Sequence, residues 1–323
     1  MNNKYDSVQE KNIIPDDFFY IVKVNIDISG CELDFAILDK EILQSISCED
    51  CEIKNIDFKY KSKGKSVFEC RIYTKNLLKT YNFVDYELRP LIIKTLLLTK
   101  NVKGLSVDTN IKYIIENQKE AKERNISIIP YSGKYLQLVV KPSKVEENEF
   151  RNAIKEVSKN SLKFEDSLFW MCVSYSIIGE SDSMDKFDFI SQYSILWTAF
   201  NAFYSKIYPN KSDRKSVEAI ASKRYVIEYF TRMVHSDDIC KLLEELSCKK
   251  LVLRGNYKVS EKLKESMEQK DYEQIAINAV LCLYSVRNAI VHGNAKQELE
   301  LCRLAFKILN PLLKLSIINE INL

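Results

Sequence analysis

Apolar and polar side chains alternate in several segments near the start of the chain, and this two-residue period predicts β-strands. In FYIVKVNIDI, residues 19–28, every second residue from the tyrosine onward is apolar, which is typical of a half-buried strand. IDFKYKSKGKSVFECRIY, residues 56–73, predicts a hairpin with Gly64 at its turn. ISIIPYSGKYLQLVV, residues 126–140, predicts a second hairpin.

Two helices are predicted between these hairpins. In LRPLIIKTLLLTK, residues 88–100, the helix is expected to begin at Pro90, because proline is favoured in the first helical turn. NIKYIIENQKEAKERN, residues 110–125, is predicted to form the other helix. The alternation then ends in a polar stretch that contains a proline, residues 141–149, and we place a domain boundary there.

Beyond this boundary apolar residues recur at three- and four-residue steps, which predicts helices. The clearest case is 187–207, where Tyr193, Trp197 and Tyr204 share a stripe. The other predicted helices cover residues 162–178, 212–246 with a break near Ser236, 272–292 and 298–318. The predicted fold class is therefore α+β: a mixed, strand-containing N-terminal domain, residues 1–145, followed by an all-α helical bundle, residues 146–323.

Composition narrows the classes of function. The chain has 46% hydrophobic and 29% charged residues and a formal net charge of only +3, so a nucleic-acid site has to be local. The apolar run 91–98 is interrupted by Lys94, and the first residues lack an apolar core, so we expect neither a membrane span nor a secretory signal. These features predict a cytoplasmic protein.

Two weak motifs predict no bound group. GKS at residues 64–66 lacks the earlier glycine of a phosphate-binding loop, and seven glycines in the chain do not make a nucleotide cradle, so no cofactor is expected. Cys48 and Cys51 form one CxxC pair among nine cysteines, without a second pair or a nearby histidine. We therefore expect free thiols and no metal site.

The segment RNAIVHG, residues 287–293, places polar side chains at the end of an apolar predicted helix. Asn288 and His292 are four residues apart and share a helix face, so the amide can orient the imidazole. Arg287 can hold phosphate oxygens through two hydrogen bonds, and an imidazole titrates near neutral pH. The alternative is structural, because Gly293 is a common helix stop and cations are favoured at a helix C-terminus.

The same segment resembles the RxxxxH signature of the HEPN superfamily, including the polar residue after the arginine and the glycine after the histidine. SILWTAFNAFYSKIYP, from Ser194, resembles the tryptophan-containing helix of Apea-like and related HEPN groups. Together with the amphipathic helix after the motif, the resemblance covers residues 149–323. The N-terminal part resembles no known family. One departure is Asn294, which stands where HEPN antitoxin targets of a nucleotidyltransferase carry tyrosine.

The resemblance implies a metal-independent endoribonuclease in which the RNA 2′-hydroxyl attacks the adjacent phosphate. Arg287 would stabilise the charge on phosphorus, His292 would act as acid or base, and Asn288 would orient it. Because the motif has one histidine, a two-fold homodimer would supply both acid and base. Asn201 is a supporting candidate that bonds either to the motif or to backbone. His235, the other histidine, is expected to cap a helix end.

The predicted function is thus an RNA-cleaving toxin or antiviral defence effector, with the N-terminal domain as a sensor, regulator or substrate guide that takes a partner or ligand. One alternative is a non-catalytic HEPN-type module that dimerises or binds a nucleotide or protein. The other is an unrelated all-helical interaction protein. A buried, hydrogen-bonded His292 would favour these alternatives, whereas a cleft lined by two copies would favour the enzyme.

Overall fold

The structure is a computed structural model that describes most of the helical part and the central strands of the N-terminal part. The described residues are 20–34, 51–62, 64–99, 106–115, 122–126, 143–158, 163–176, 186–292 and 299–321.

The N-terminal part contains a five-stranded antiparallel sheet with the strand order β3-β4-β1-β5-β6. Its strands are β1 (Tyr20–Ser29), β3 (Cys51–Ser62), β4 (Lys65–Thr74), β5 (Ser106–Ile115) and β6 (Lys122–Ile126). A short strand, β2 (Cys31–Glu32), lies outside this sheet and pairs in parallel with β7 (Ser143–Lys144).

The alternation predicted for the first strand is confirmed. Val22, Val24, Ile26 and Ile28 of β1 are fully buried, while the residues between them are partly exposed. The hairpin predicted around Gly64 is also confirmed. This glycine connects β3 to β4 with φ +74°, a left-handed conformation that glycine adopts without steric cost.

The helix predicted for residues 110–125 is wrong. Its described residues belong to β5 and β6, which pair antiparallel from Ile111 opposite Ile126 to Ile115 opposite Lys122. β5 also pairs with β1 along its whole length, so pairing between distant segments determines the conformation here. Most of the second predicted hairpin, residues 126–140, lies outside the described residues.

The helix that contains Pro90 begins earlier than predicted. α1 (Leu77–Phe83) continues through a π-helical turn, Val84–Leu88, into α2 (Arg89–Leu98). The start is fixed by Asn76, whose side chain accepts hydrogen bonds from the backbone N–H groups of Leu78 and Lys79. Pro90 therefore follows the π turn. Proline has no backbone N–H to donate, and the widened turn does not require a hydrogen bond from this position.

The C-terminal part is mostly helical, as predicted. Its helices are α3 (Glu147–Val157), α4 (Glu165–Ser176), α5 (Lys186–Ile207), α6 (Asp213–Ala221), α7 (Arg224–Val234), α8 (Asp237–Ser247), α9 (Val259–Gln269), α10 (Tyr272–Val291) and α11 (Leu299–Ile321). The predicted break near Ser236 separates α7 from α8. A second break at Ser222, the helix α9 and a small hairpin of β8 (Val252–Leu253) and β9 (Tyr257–Lys258) were not predicted.

The two parts share one apolar core. The ring of Phe58 on β3 lies edge-on to that of Phe150 on α3, with centroids 5.1 Å apart. α2 packs against α3 and α4, and Lys94 forms an ion pair with Glu165. The limits 1–145 and 146–323 therefore mark a change of secondary structure, and the described residues on the two sides pack directly together.

Candidate functional site

α10 carries most of the predicted motif and lies at the centre of the helical part. Asp271 caps its start by accepting a hydrogen bond from the backbone N–H of Gln274 at 3.1 Å. Its middle is almost entirely buried, and it packs against α6, α7 and α9. His292 ends the helix, and its backbone N–H donates to the carbonyl of Asn288 at 3.0 Å.

α10 is also the helix among the described residues that is long and apolar enough to cross a membrane. Its mean hydropathy reaches 1.4 over an 18-residue window, of which 56% is buried in the fold. A core helix of a globular protein has the same composition, so this similarity is weak evidence for a membrane span. That the protein does not enter a membrane therefore stays a prediction.

Arg287 and Asn288 form the centre of the candidate site. A terminal nitrogen of the Arg287 guanidinium donates to Asn288 Oδ1 at 3.0 Å, and both side chains are half-buried. Among the described residues, no carboxylate forms an ion pair with Arg287. The guanidinium is therefore positioned by an amide, and no carboxylate of the described residues pairs with its charge, as an anion-binding arginine requires.

His292 lies one turn beyond Asn288 and is exposed. The sequence suggested that Asn288 orients this imidazole, whereas in the structure the Asn288 side chain accepts a hydrogen bond from Arg287. Asn288 directly follows Arg287 in the chain, and the long arginine side chain reaches its amide oxygen. The buried, hydrogen-bonded imidazole that the non-catalytic alternatives predict is not what the structure shows.

Asn201 does not contact the motif among the described residues. Its Oδ1 accepts a hydrogen bond from the hydroxyl of Ser205 at 2.9 Å, one turn further along α5. From the sequence we expected Asn201 to bond to the motif or to backbone, and the observed partner is neither of these.

Two tyrosines of α5 are close enough to Arg287 for its charge to act on them, and the sequence assigned them only to an apolar stripe. Burial raises the pKa of Tyr193, and burial followed by the Asp213 carboxylate raises that of Tyr204, while Arg287 opposes both shifts. The Tyr193 hydroxyl donates to the Leu283 carbonyl at 2.7 Å. These neutral phenols form a buried wall near the guanidinium.

The tryptophan in the segment that resembles HEPN groups packs against the helix that carries the motif. Trp197 is buried, and its ring centroid lies 5.9 Å from that of Tyr284, three residues before Arg287. It also meets Phe200 edge-on at 5.2 Å. Tilted and edge-on aromatic pairs contribute packing energy, and the pair of Trp197 with Tyr284 restricts the position of α10 relative to α5.

The second histidine is remote from the first. His235 is an exposed cap at the end of α7, and its Nδ1 lies 2.7 Å from the Thr231 carbonyl, as expected for a capping residue. Its ring lies 5.7 Å from that of Tyr272, at the start of α10. His292 ends the same helix twenty residues later, roughly 30 Å away. One chain therefore offers a single imidazole to the candidate site.

A basic hairpin lies beside α10. Residues 246–260 contain four basic residues, Lys249, Lys250, Arg254 and Lys258, and no acidic one. The Ser285 hydroxyl donates to the Val252 carbonyl at 3.2 Å, which attaches this hairpin to α10. Ser285 and His292 are seven residues apart, so they share a helix face and are separated by about 10 Å along the axis. The hairpin thus lies on the face of α10 that carries His292. Two of its four basic side chains are paired with glutamates, Lys249 with Glu245 at 3.7 Å and Lys258 with Glu261 at 2.9 Å.

The cysteines and acidic residues give no indication of a metal. Within the described ranges, no group of three or more histidine, cysteine, aspartate or glutamate side chains is placed to hold an ion. Cys51 is buried with its thiol near the hydroxyls of Thr74 and Thr80, and Cys48 lies outside the described residues. Burial raises the pKa of the Cys31 thiol to about 12.

No protein-family model, curated protein or solved structure matches the chain.

Proposed function

We propose that the chain is a metal-independent endoribonuclease of the HEPN type that acts as a toxin or antiviral defence effector. One observation carries the proposal: a half-buried arginine without a carboxylate partner among the described residues precedes, by five residues, an exposed histidine at the end of the same helix. The resemblance of RNAIVHG to the HEPN signature supplies the reaction, and the basic hairpin supplies a surface for the RNA backbone.

In this proposal Arg287 binds the non-bridging oxygens of the scissile phosphate and stabilises the added charge of the transition state. The RNA 2′-oxygen forms a bond to phosphorus while the bond to the 5′-oxygen breaks, and the products are a 2′,3′-cyclic phosphate and a 5′-hydroxyl. One imidazole accepts the proton of the 2′-hydroxyl, and another donates a proton to the leaving 5′-oxygen.

Two imidazoles require two chains. Since His235 lies at the opposite end of α10, the second imidazole comes from His292 of another copy in a two-fold homodimer. Val291, next to His292, is 60% exposed, and an exposed apolar side chain at this position suits a contact between copies.

The test is cleavage of transfer RNA and a panel of single-stranded RNAs by the purified full-length chain in EDTA. Wild type should cleave, with 2′,3′-cyclic phosphate ends, and His292→Ala should not. His235→Ala is a matched control, because both histidines are exposed residues at helix ends, and it should cleave like wild type. Cleavage that survives His292→Ala, or that requires Mg²⁺, contradicts the mechanism. If the wild type does not cleave any of these RNAs, the non-catalytic module becomes the better explanation.

A further inference from the structure

The solvent-facing side of the five-stranded sheet carries basic side chains on neighbouring strands. The register places Lys54 of β3 opposite Arg71 of β4, and Arg71 opposite Lys23 of β1. We call these three residues the basic row. Along the backbone the register continues to Lys112 of β5. Directly opposite residues have Cβ atoms about 4.5–5.5 Å apart, and like charges there are destabilising. Such a row therefore needs negative charge nearby, either from the chain or from a bound anion.

Arg71 is the member of the row that best indicates a ligand. It is half-buried, and no carboxylate among the described residues forms an ion pair with it. Lys54, by contrast, pairs with Glu52 at 3.2 Å and lies 4.8 Å above the ring of Tyr73. A guanidinium that has lost part of its hydration is normally compensated by carboxylate or phosphate oxygens. An anion from outside the chain would provide this compensation.

A groove of about 550 Å³ lies against this row and is lined by both Arg71 and Lys23. Ligand pockets for small molecules have volumes of roughly 300–1,000 Å³. A β-bulge also lies here, since three steps on β3 from Lys54 to Asp57 match two on β4 from Arg71 to Glu69. Bulges are frequent next to functional sites because they redirect side chains.

The far side of the groove has a different chemistry. Glu69 and Asp57 line it, and both contact the Lys59 ammonium, at 2.6 Å and 3.3 Å. The groove is also lined by Lys59 itself, Asn25, Ile56 and Cys70. Carboxylates repel a phosphate but accept hydrogen bonds from hydroxyl and amino groups. The groove therefore favours a ligand with phosphate at one end and hydrogen-bond donors at the other.

We propose that this groove binds a small phosphorylated molecule of nucleotide size, with its phosphate on the basic row and its hydroxyl or amino groups toward Glu69 and Asp57. A nucleic-acid strand fits less well, because strand-binding grooves are basic along their length, whereas this groove ends in two carboxylates. The site uses none of the residues proposed for RNA cleavage, so the two proposals succeed or fail separately.

The test is isothermal titration of the full-length chain with ATP, with inorganic triphosphate and with a ten-residue oligouridylate at low salt. Wild type should bind ATP, and Arg71→Gln should weaken that binding at least tenfold. Arg224→Gln is the matched control, because it removes the same charge from a side chain that is 92% exposed on α7. Its affinity for ATP should equal that of wild type.

Two further variants separate binding from folding. Arg71→Lys keeps the charge but loses the paired hydrogen bonds, so its affinity should lie between those of wild type and Arg71→Gln. Glu69→Gln should weaken ATP binding and strengthen triphosphate binding, because only ATP carries donors for the carboxylate. The proposal is overturned if wild type binds neither ATP nor triphosphate, if Arg224→Gln loses as much affinity as Arg71→Gln, or if oligouridylate binds more tightly than ATP.

Discussion

At the scale of single residues, an amide determines how the motif arginine is presented. Asn288 accepts one hydrogen bond from Arg287 and adds no charge. A carboxylate at the same place would hold the guanidinium in an ion pair and compete with the phosphate. Replacing the Asn288 amide by a carboxylate therefore tests whether Arg287 binds the phosphate.

We predict that Asn288→Asp reduces the rate of RNA cleavage by about 10²–10³, as if the charge of Arg287 had been removed. Asn288→Ala should cost less, because the arginine keeps its charge and loses only its support. Initial cleavage rates measure both effects. Asn319→Asp, at an exposed position of α11, controls for the added negative charge. Equal rates for Asn288→Asp and wild type would show that Arg287 does not bind the phosphate.

A buried lysine predicts how stability depends on pH. Lys314 of α11 is 6% exposed, and burial lowers its pKa from 10.5 to about 7, opposed by the neighbouring Cys31 and Glu149. In the unfolded chain the ammonium keeps its ordinary pKa. Between pH 7 and 10.5 the unfolded state therefore holds a proton that the folded state lacks, so this group makes the free energy of unfolding rise with pH in that range.

Lys314→Met should remove this rise and stabilise the protein by about 1–4 kcal/mol at pH 7, because it removes the penalty of burying an ammonium group. Urea unfolding of wild type and variant from pH 6 to pH 9.5 measures both effects. Lys264→Met, at an exposed site of α9, should leave the pH dependence unchanged. A wild-type slope that persists in Lys314→Met would assign it to another group.

At the scale of elements, the sequence predicted the segments whose periodicity is local. Apolar residues recur every three or four residues in the sequence of α5, α10 and α11, and β1 buries every second residue, so each pattern was visible without its partners. β5 was predicted as a helix because its segment continues into IENQKEAKER, which has high helix propensity. Pairing with β1 and β6 decided its conformation, and a single-sequence pattern does not contain that pairing.

The candidate site shows the same division. Arg287, Asn288 and His292 lie within six residues of one helix, so their spacing alone indicated a site. Tyr204 and the basic hairpin lie near the motif because α5 and residues 249–258 pack against α10. The sequence does not reveal that packing. The hydrogen bond between Arg287 and Asn288 depends on a side-chain conformation, and helix geometry alone favoured a contact between Asn288 and His292.

The helix that runs from α1 through the π turn to α2 has a start that a single side chain determines. Asn76 Oδ1 accepts from the backbone N–H groups of Leu78 at 3.0 Å and Lys79 at 3.3 Å. We predict that Asn76→Ala lowers the free energy of unfolding by about 0.5–2 kcal/mol, as measured by urea denaturation. Asn76→Asp keeps the acceptor and should stay close to wild type. A larger loss in Asn76→Asp than in Asn76→Ala would rule out capping as the contribution of this residue.

At the scale of the whole molecule, the proposed chemistry requires two copies. We predict that light scattering at micromolar concentration gives twice the chain mass of 37.7 kDa. Val291→Lys should convert the dimer to a monomer and abolish cleavage without unfolding the chain, because this side chain is 60% exposed. Leu78→Lys is a control at another exposed apolar side chain, 68% exposed and on α1. A wild-type monomer that cleaves RNA would contradict the shared site.

The contact between the sheet and the helices limits how the protein can be regulated. Phe58 against Phe150 and α2 against α3 join the two parts through packed apolar surface. Swinging one part away from the other would open that surface to water, and close-packed interiors resist such deformation. In the proposed ligand-binding role of the sheet, a signal would reach the helices through small displacements of α2 and α3. The expected response to that ligand is then an ångström-scale movement at the packed interface, without separation of the two parts.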